Sequence, residues 1–113
     1  MVAAYLADPL CGFALTDASL ASIFDAGAAT ADAARLARLP PDLPLYLVTG
    51  ARDPVNDMLA WFDPLVARLR GAGMRDVSTH VYGGARHEVF NESNRDEVIA
   101  GLLAWCARVL APA

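Results

Sequence analysis

The sequence contains no lysine: all nine basic residues are arginine, against thirteen acids, giving a net charge of −4 over 113 residues. An acidic chain without a basic run argues against nucleic acid or an anionic membrane surface as a partner. Charge of either sign is sparse at 19%, while 56% of the residues are apolar, which excludes an intrinsically disordered chain. Long hydrophobic runs are missing too, and nothing approaches the roughly 20 residues that a membrane span needs. The apolar start, Met1 to Ala7, lacks a basic n-region and stops at Asp8-Pro9, so a secretory signal is not expected. Cysteine is limited to Cys11 and Cys106, with no CxxC or Cys/His metal spacing. Two reduced, buried thiols in a cytoplasmic protein are the expectation, with no metal and no cofactor. No repeat or linker divides the chain, so a single domain with one small core is expected.

What the chain does contain is an α/β pattern. Leu45-Tyr46-Leu47-Val48-Thr49, preceded by Pro44 and stopped by Gly50, reads as a strand buried on both faces. Val77 to Tyr82 reads as a second strand, its Val77, Thr79 and Val81 alternating with Ser78, His80 and Tyr82. Between them Asp63-Pro64 fits an N-cap and first helical position, Leu65, Val66 and Leu69 share one face, and Gly71 to Gly73 ends the helix. Strand, helix and strand make a right-handed βαβ unit with two parallel strands. A final helix opens at Asn94 and Glu97, spaced as a capping box. Its apolar face is expected to hold Val98, Ile99, Leu102, Leu103, Cys106 and Leu110, with Trp105 and Val109 at the edge.

The first forty residues carry weaker signals. Thr16-Asp17-Ala18-Ser19 opens a short helix with Leu20, Ile23 and Phe24, and Thr30 caps a second over 31–39. Asp8 to Leu15 is a loop. Two parallel strands leave two unpaired sheet edges, so the architecture is expected to be incomplete.

Chemistry in an open α/β sheet gathers beyond the carboxyl ends of the strands. The first strand leaves through Gly50-Ala51-Arg52-Asp53-Pro54-Val55-Asn56-Asp57, the second through Gly83-Gly84-Ala85-Arg86-His87-Glu88. Neighbouring parallel strands would bring Asp53 and His87 to one rim, where a carboxylate orients an imidazole for general-base work. Asp57 is a rival acid that could instead cap the next helix. His80 is read as a hydrogen-bonded structural histidine, Glu88 as a solvated or loop-fixing acid, and Arg52 and Arg86 as solvated or ion-paired.

Gly-x-x-Asp-Pro-Val after one strand and Tyr82-Gly83-Gly84-Ala85-Arg86-His87-Glu88 after the next resemble the C-terminal half of α/β-hydrolases. The similarity is to the monoacylglycerol lipase, lysophospholipase and serine aminopeptidase-like group. Asp8-Pro9-Leu10-Cys11-Gly12-Phe13, the Asn91-Glu92-x-Asn94-Arg95 turn and Leu103-Ala104-Trp105 fit the same pattern. The resemblance implies a partial α/β-hydrolase fold, with residues 1–40 as the lid-return region and 41–113 as a βαβα unit. It implies Asp53 as the triad acid and His87 as the triad histidine. Such a chain would open about two-thirds of the way through a family member. Family members carry their nucleophile on a Gly-x-Ser-x-Gly elbow. None of Ser19, Ser22, Ser78 and Ser93 is flanked by glycine at both i−2 and i+2.

The expected function is therefore the acid-and-histidine half of a serine hydrolase for carboxylic esters, inactive alone. Its substrate, an ester or lipid-like small molecule, would be reached only when the missing half is supplied. The alternative is a non-catalytic, truncated protein or association module that completes its sheet with another chain, including a homo-oligomer through exposed sheet edges.

Overall fold

The computed structural model describes residues 2–111. The elements run α1 (Val2–Ala7), α2 (Asp17–Ala31), α3 (Ala33–Leu36), β1 (Leu45–Gly50), α4 (Phe62–Gly71), β2 (Val77–Tyr82), a 3-10 turn (Val89–Asn91) and α5 (Arg95–Leu110). Strands β1 and β2 pair in parallel from Leu45 opposite Val77 to Gly50 opposite Tyr82, and form a two-stranded sheet. This mixture of helices around a parallel sheet is a partial α/β fold.

Period-two alternation gives each face of the sheet its own helix. Leu45, Leu47 and Val77 pack with Leu65 and Leu69 of α4, Leu36 of α3 and Met74. The opposite face carries Val48 and Tyr82, which pack with Ala85, Val89 and Val98 of α5. Tyr46, also on that face, stacks on Trp105 with ring centroids 5.5 Å apart. Both faces of β1 are covered, yet Leu45 to Val48 are only half-buried, against the expectation of full burial. A sheet two strands wide leaves its outer edges to solvent.

The chain is also more open than its length requires. Its accessible surface is 7986 Å², against about 6,000 Å² for a compact globule of this mass. Its radius of gyration is 16.3 Å, where about 13 Å is expected. The excess lies in the first third: α2 buries no residue, and Leu6, Leu10, Phe13 and Phe24 are each more than two-thirds exposed.

Several local expectations are corrected. Thr16 does cap α2, accepting from the Ser19 N–H, but the helix runs fifteen residues instead of stopping near Phe24. Thr30 lies inside it, its hydroxyl turned back to the Gly27 carbonyl. The cap of the next helix is Asp32, which accepts from Ala34 N and Arg35 N. Helix α1 arises where no helix was expected. Helix α4 starts at Phe62, one turn-position before the expected cap, so Asp63 and Pro64 sit in its first turn, where proline's missing N–H has no partner to lose. Its end follows the glycine expectation: Gly73 adopts φ +97 and Met74 N reaches back to Leu69 O. Asn94 begins α5, but its side chain bonds the Glu97 carboxylate and not the backbone, so the capping box does not form.

Of the expected apolar face of α5, Val98 is buried and Ile99, Leu102 and Cys106 are half-buried, with Trp105 and Val109 half-buried at its edge, while Leu103 and Leu110 are exposed. In β2 the inward residue at the strand end is Tyr82, 2% exposed, and Val81 is outside. His80 is exposed beside the Tyr82 ring, at a centroid distance of 4.3 Å, and no side-chain hydrogen bond fixes it among the described residues. Cys11 and Cys106 are free thiols, half-buried where full burial was expected.

Candidate functional site

The site is built where β1 and β2 end side by side. Beyond Gly50 the chain turns so that Ala51 N bonds Tyr82 O and Arg52 N bonds Ala85 O at 3.0 Å. These two bonds dock the loop after β1 on the loop after β2. Gly50 makes the contact possible: a β-carbon there would fall inside the Ala85 and Arg86 carbonyls. Only glycine lets two backbones approach this closely.

Asp53 follows three residues later and is 4% exposed. One carboxylate oxygen, Oδ1, accepts from Val55 N at 2.8 Å, the Asx turn expected of Asp before proline. The other, Oδ2, lies 3.0 Å from His87 Nδ1. Burial acts to raise the Asp53 carboxyl. The hydrogen bond from His87, the Val55 N–H and the charge of the imidazolium outweigh it, and the group is held below its ordinary value. An ionised carboxylate can only accept, so His87 donates its Nδ1–H to Oδ2, and in the neutral imidazole this leaves the lone pair on Nε2. The His87 side chain is 58% exposed, so Nε2 is within reach of solvent or substrate.

Asp57 takes neither role foreseen for it. It is exposed, adopts φ 52, and neither bonds His87 nor caps α4, whose preceding residue Trp61 has no side-chain cap. Asp57, Met58 and Leu59 form one left-handed turn of non-glycine residues, a costly conformation. Asn56 braces it, donating to the buried Thr49 hydroxyl at 2.6 Å and accepting from Leu59 N at 2.9 Å.

The two loops form the walls of a cavity of about 520 Å³ lined by Arg52, Pro54, Met58, Gly84, Arg86 and Glu92. Arg86 is ion-paired, as expected, and its partner is Glu92; Glu88 fixes the loop by accepting from Asn91 Nδ2. Arg52 is exposed. Gly50, Asn56 and Glu92 carry much of the geometry and were not singled out from sequence. The spacing Gly-x-x-Asp was the available signal for Gly50, and the Asn-Glu turn for Glu92. None of the four serines hydrogen-bonds His87: Ser19 and Ser22 bond within α2 and its cap, and Ser78 pairs with Arg108. No helix among the described residues is long and apolar enough to cross a membrane.

Compared with known proteins, the chain matches no curated protein significantly. A family model described as "Serine aminopeptidase, S33" matches residues 1–94. That match spans both strands, both loops and the acid–imidazole pair, on a parallel α/β sheet with the site at its carboxyl rim. The chain belongs to the serine aminopeptidase family of the α/β-hydrolase superfamily.

Proposed function

We propose that Asp53 and His87 are the orienting acid and general base of a serine-hydrolase triad, and that this chain corresponds to the C-terminal half of such an enzyme. The observation that carries the reading is the 3.0 Å contact of His87 Nδ1 with a buried carboxylate. In the reaction Nε2 takes the proton of a serine hydroxyl as its oxygen attacks the ester carbonyl. The imidazolium, stabilised by Asp53, then returns the proton to the leaving alcohol. The serine and the oxyanion donors stand on an elbow that this chain does not contain. The substrate is a carboxylic ester of acylglycerol or lysophospholipid type, a choice that rests on resemblance to the lipase and lysophospholipase members.

The test is to express the reading frame extended through the DNA upstream of Met1 and to assay p-nitrophenyl esters. A product carrying a Gly-x-Ser-x-Gly elbow should turn over, and H87A should cost it about 10⁴-fold or more. Undiminished turnover in H87A would overturn the reading.

A second reading is favoured by a separate observation, the open sheet edges and roughly 2,000 Å² of surface beyond that of a compact globule. That excess is the size of one side of an obligate interface. In this reading the chain is a non-catalytic association module that completes its sheet with another chain. Sedimentation velocity decides it: species larger than 12.0 kDa support it, and a monomer at every concentration rejects it.

A further inference from the structure

We propose that Glu92 is the positioning residue for His87, holding the imidazole against Asp53 by clamping the neighbouring Arg86. The inference rests on the reading of His87 as general base and adds a residue to it.

One Glu92 oxygen, Oε1, accepts from both the backbone N and the side-chain Nε of Arg86, each at 3.1 Å. The Glu92 side chain is the buried partner, 10% exposed against 58% for Arg86. A solvated surface pair would hold nothing in place. Here the acceptor is fixed and the loop is fastened to it. The two contacts close a ring over residues 86–92, and His87 is inside it. On one side Ala85 is buried and its carbonyl is taken by Arg52 N. On the other, Val89 is buried in the α5 cluster, and Asn91 N bonds Glu88 O. His87 itself is exposed, and among the described residues its side chain hydrogen-bonds Asp53 alone.

The segment before it needs such a clamp. Gly83 and Gly84 are exposed and carry no side chain that could stiffen the turn. Without Glu92 the 85–86 peptide keeps only the Arg52 hydrogen bond at its carbonyl, and the Arg86 side chain loses its anchor. The backbone dihedrals of Arg86 and His87 are then freer to turn the imidazole away from Asp53. The Arg86 hydrogen bond also holds the Glu92 carboxyl below its ordinary value, which favours the ionised acceptor. Glu92 lines the same cavity as Arg52 and Pro54, so the clamp lies at the site and not behind it.

The experiment is nitrogen-15 NMR on the full chain, following the Nδ1 proton of His87 and its exchange with water. In E92A that exchange should be roughly tenfold faster than in the parent, the scale of losing one hydrogen bond to a charged group. E92Q and R86A each leave part of the clamp in place, so both should fall between. A merely structural Glu92 would lower the unfolding midpoint and leave the His87 proton untouched in the folded chain. Parent-like exchange in E92A overturns the proposal; if E92A does not fold, parent-like exchange in both E92Q and R86A overturns it. D53N separates the two levels. A His87 proton unaffected by D53N would remove the acid–base reading itself, whereas one lost in D53N but unmoved by the Glu92 variants would remove only this inference.

Discussion

The Ala85 carbonyl stands where a β-carbon on residue 50 would have to be. That contact joins the ends of the two strands and sets the distance between the loops that follow. Asp53 leaves one loop and His87 the other, and their 3.0 Å contact depends on the loops touching here. The pair is thus a product of backbone docking before it is a product of side-chain attraction.

G50A should cost at least about 2 kcal/mol, because the clash is with backbone that cannot turn aside. It should also remove the protected His87 Nδ1 proton. G83A, where a β-carbon meets nothing within 4 Å, should stay within about 0.5 kcal/mol. Urea unfolding of the two variants gives the comparison.

Acid should weaken the fold through Asp53. Its carboxyl is lower in the folded chain than the ordinary 3.8. The stabilisation is therefore complete above the unfolded value and is lost as pH falls through the folded one. At pH 7, D53N should be less stable than the parent by roughly 2 kcal/mol. Below pH 3.8 the gap should close, which unfolding midpoints at pH 7 and in the acid range would show.

Tyr82 should act at the alkaline end. Burial, with the Tyr46 hydroxyl beside it, pushes the Tyr82 phenol up to about 12 from 10.0. Its stabilisation is complete below the unfolded value and fades as pH rises from 10 towards 12. Y82F should remove that alkaline loss. Near neutral pH it should cost little, since the buried Tyr82 hydroxyl has no hydrogen-bond partner among the described residues. Thermal melts of both proteins across pH 8 to 11 would measure this.

The chain alone should show no esterase turnover above background and no labelling by a fluorophosphonate probe. Each serine is held elsewhere or lacks His87 as a partner, and an isolated dyad has no oxyanion donors. Mass spectrometry after probe treatment reads the outcome, and a phosphonylated Ser19, Ser22, Ser78 or Ser93 would contradict it.

Legibility in the sequence followed the strength of local signals. Strands β1 and β2 were plain because apolar, β-branched runs end at glycine, and α4 because Gly73 closes it. The cap positions failed where a side chain had a choice of partners. Thr30 bonds back along its own helix, and Asn94 and Glu97 bond each other. On α5 the expected Leu103 and Leu110 are exposed, while Trp105, expected at the edge of the face, stacks on Tyr46, a contact between residues far apart in the chain.

The sequence by itself determined the alternation of strand and helix and the placement of an acid after one strand and a histidine after the next. Those follow from local propensity and from the rule that chemistry collects at strand ends. Only the tertiary structure decided that Asp53 and not Asp57 meets the imidazole, and that Gly50 and Glu92 hold the loops. These depend on which backbones come within a few ångströms of each other, and no local pattern of residue types encodes that distance.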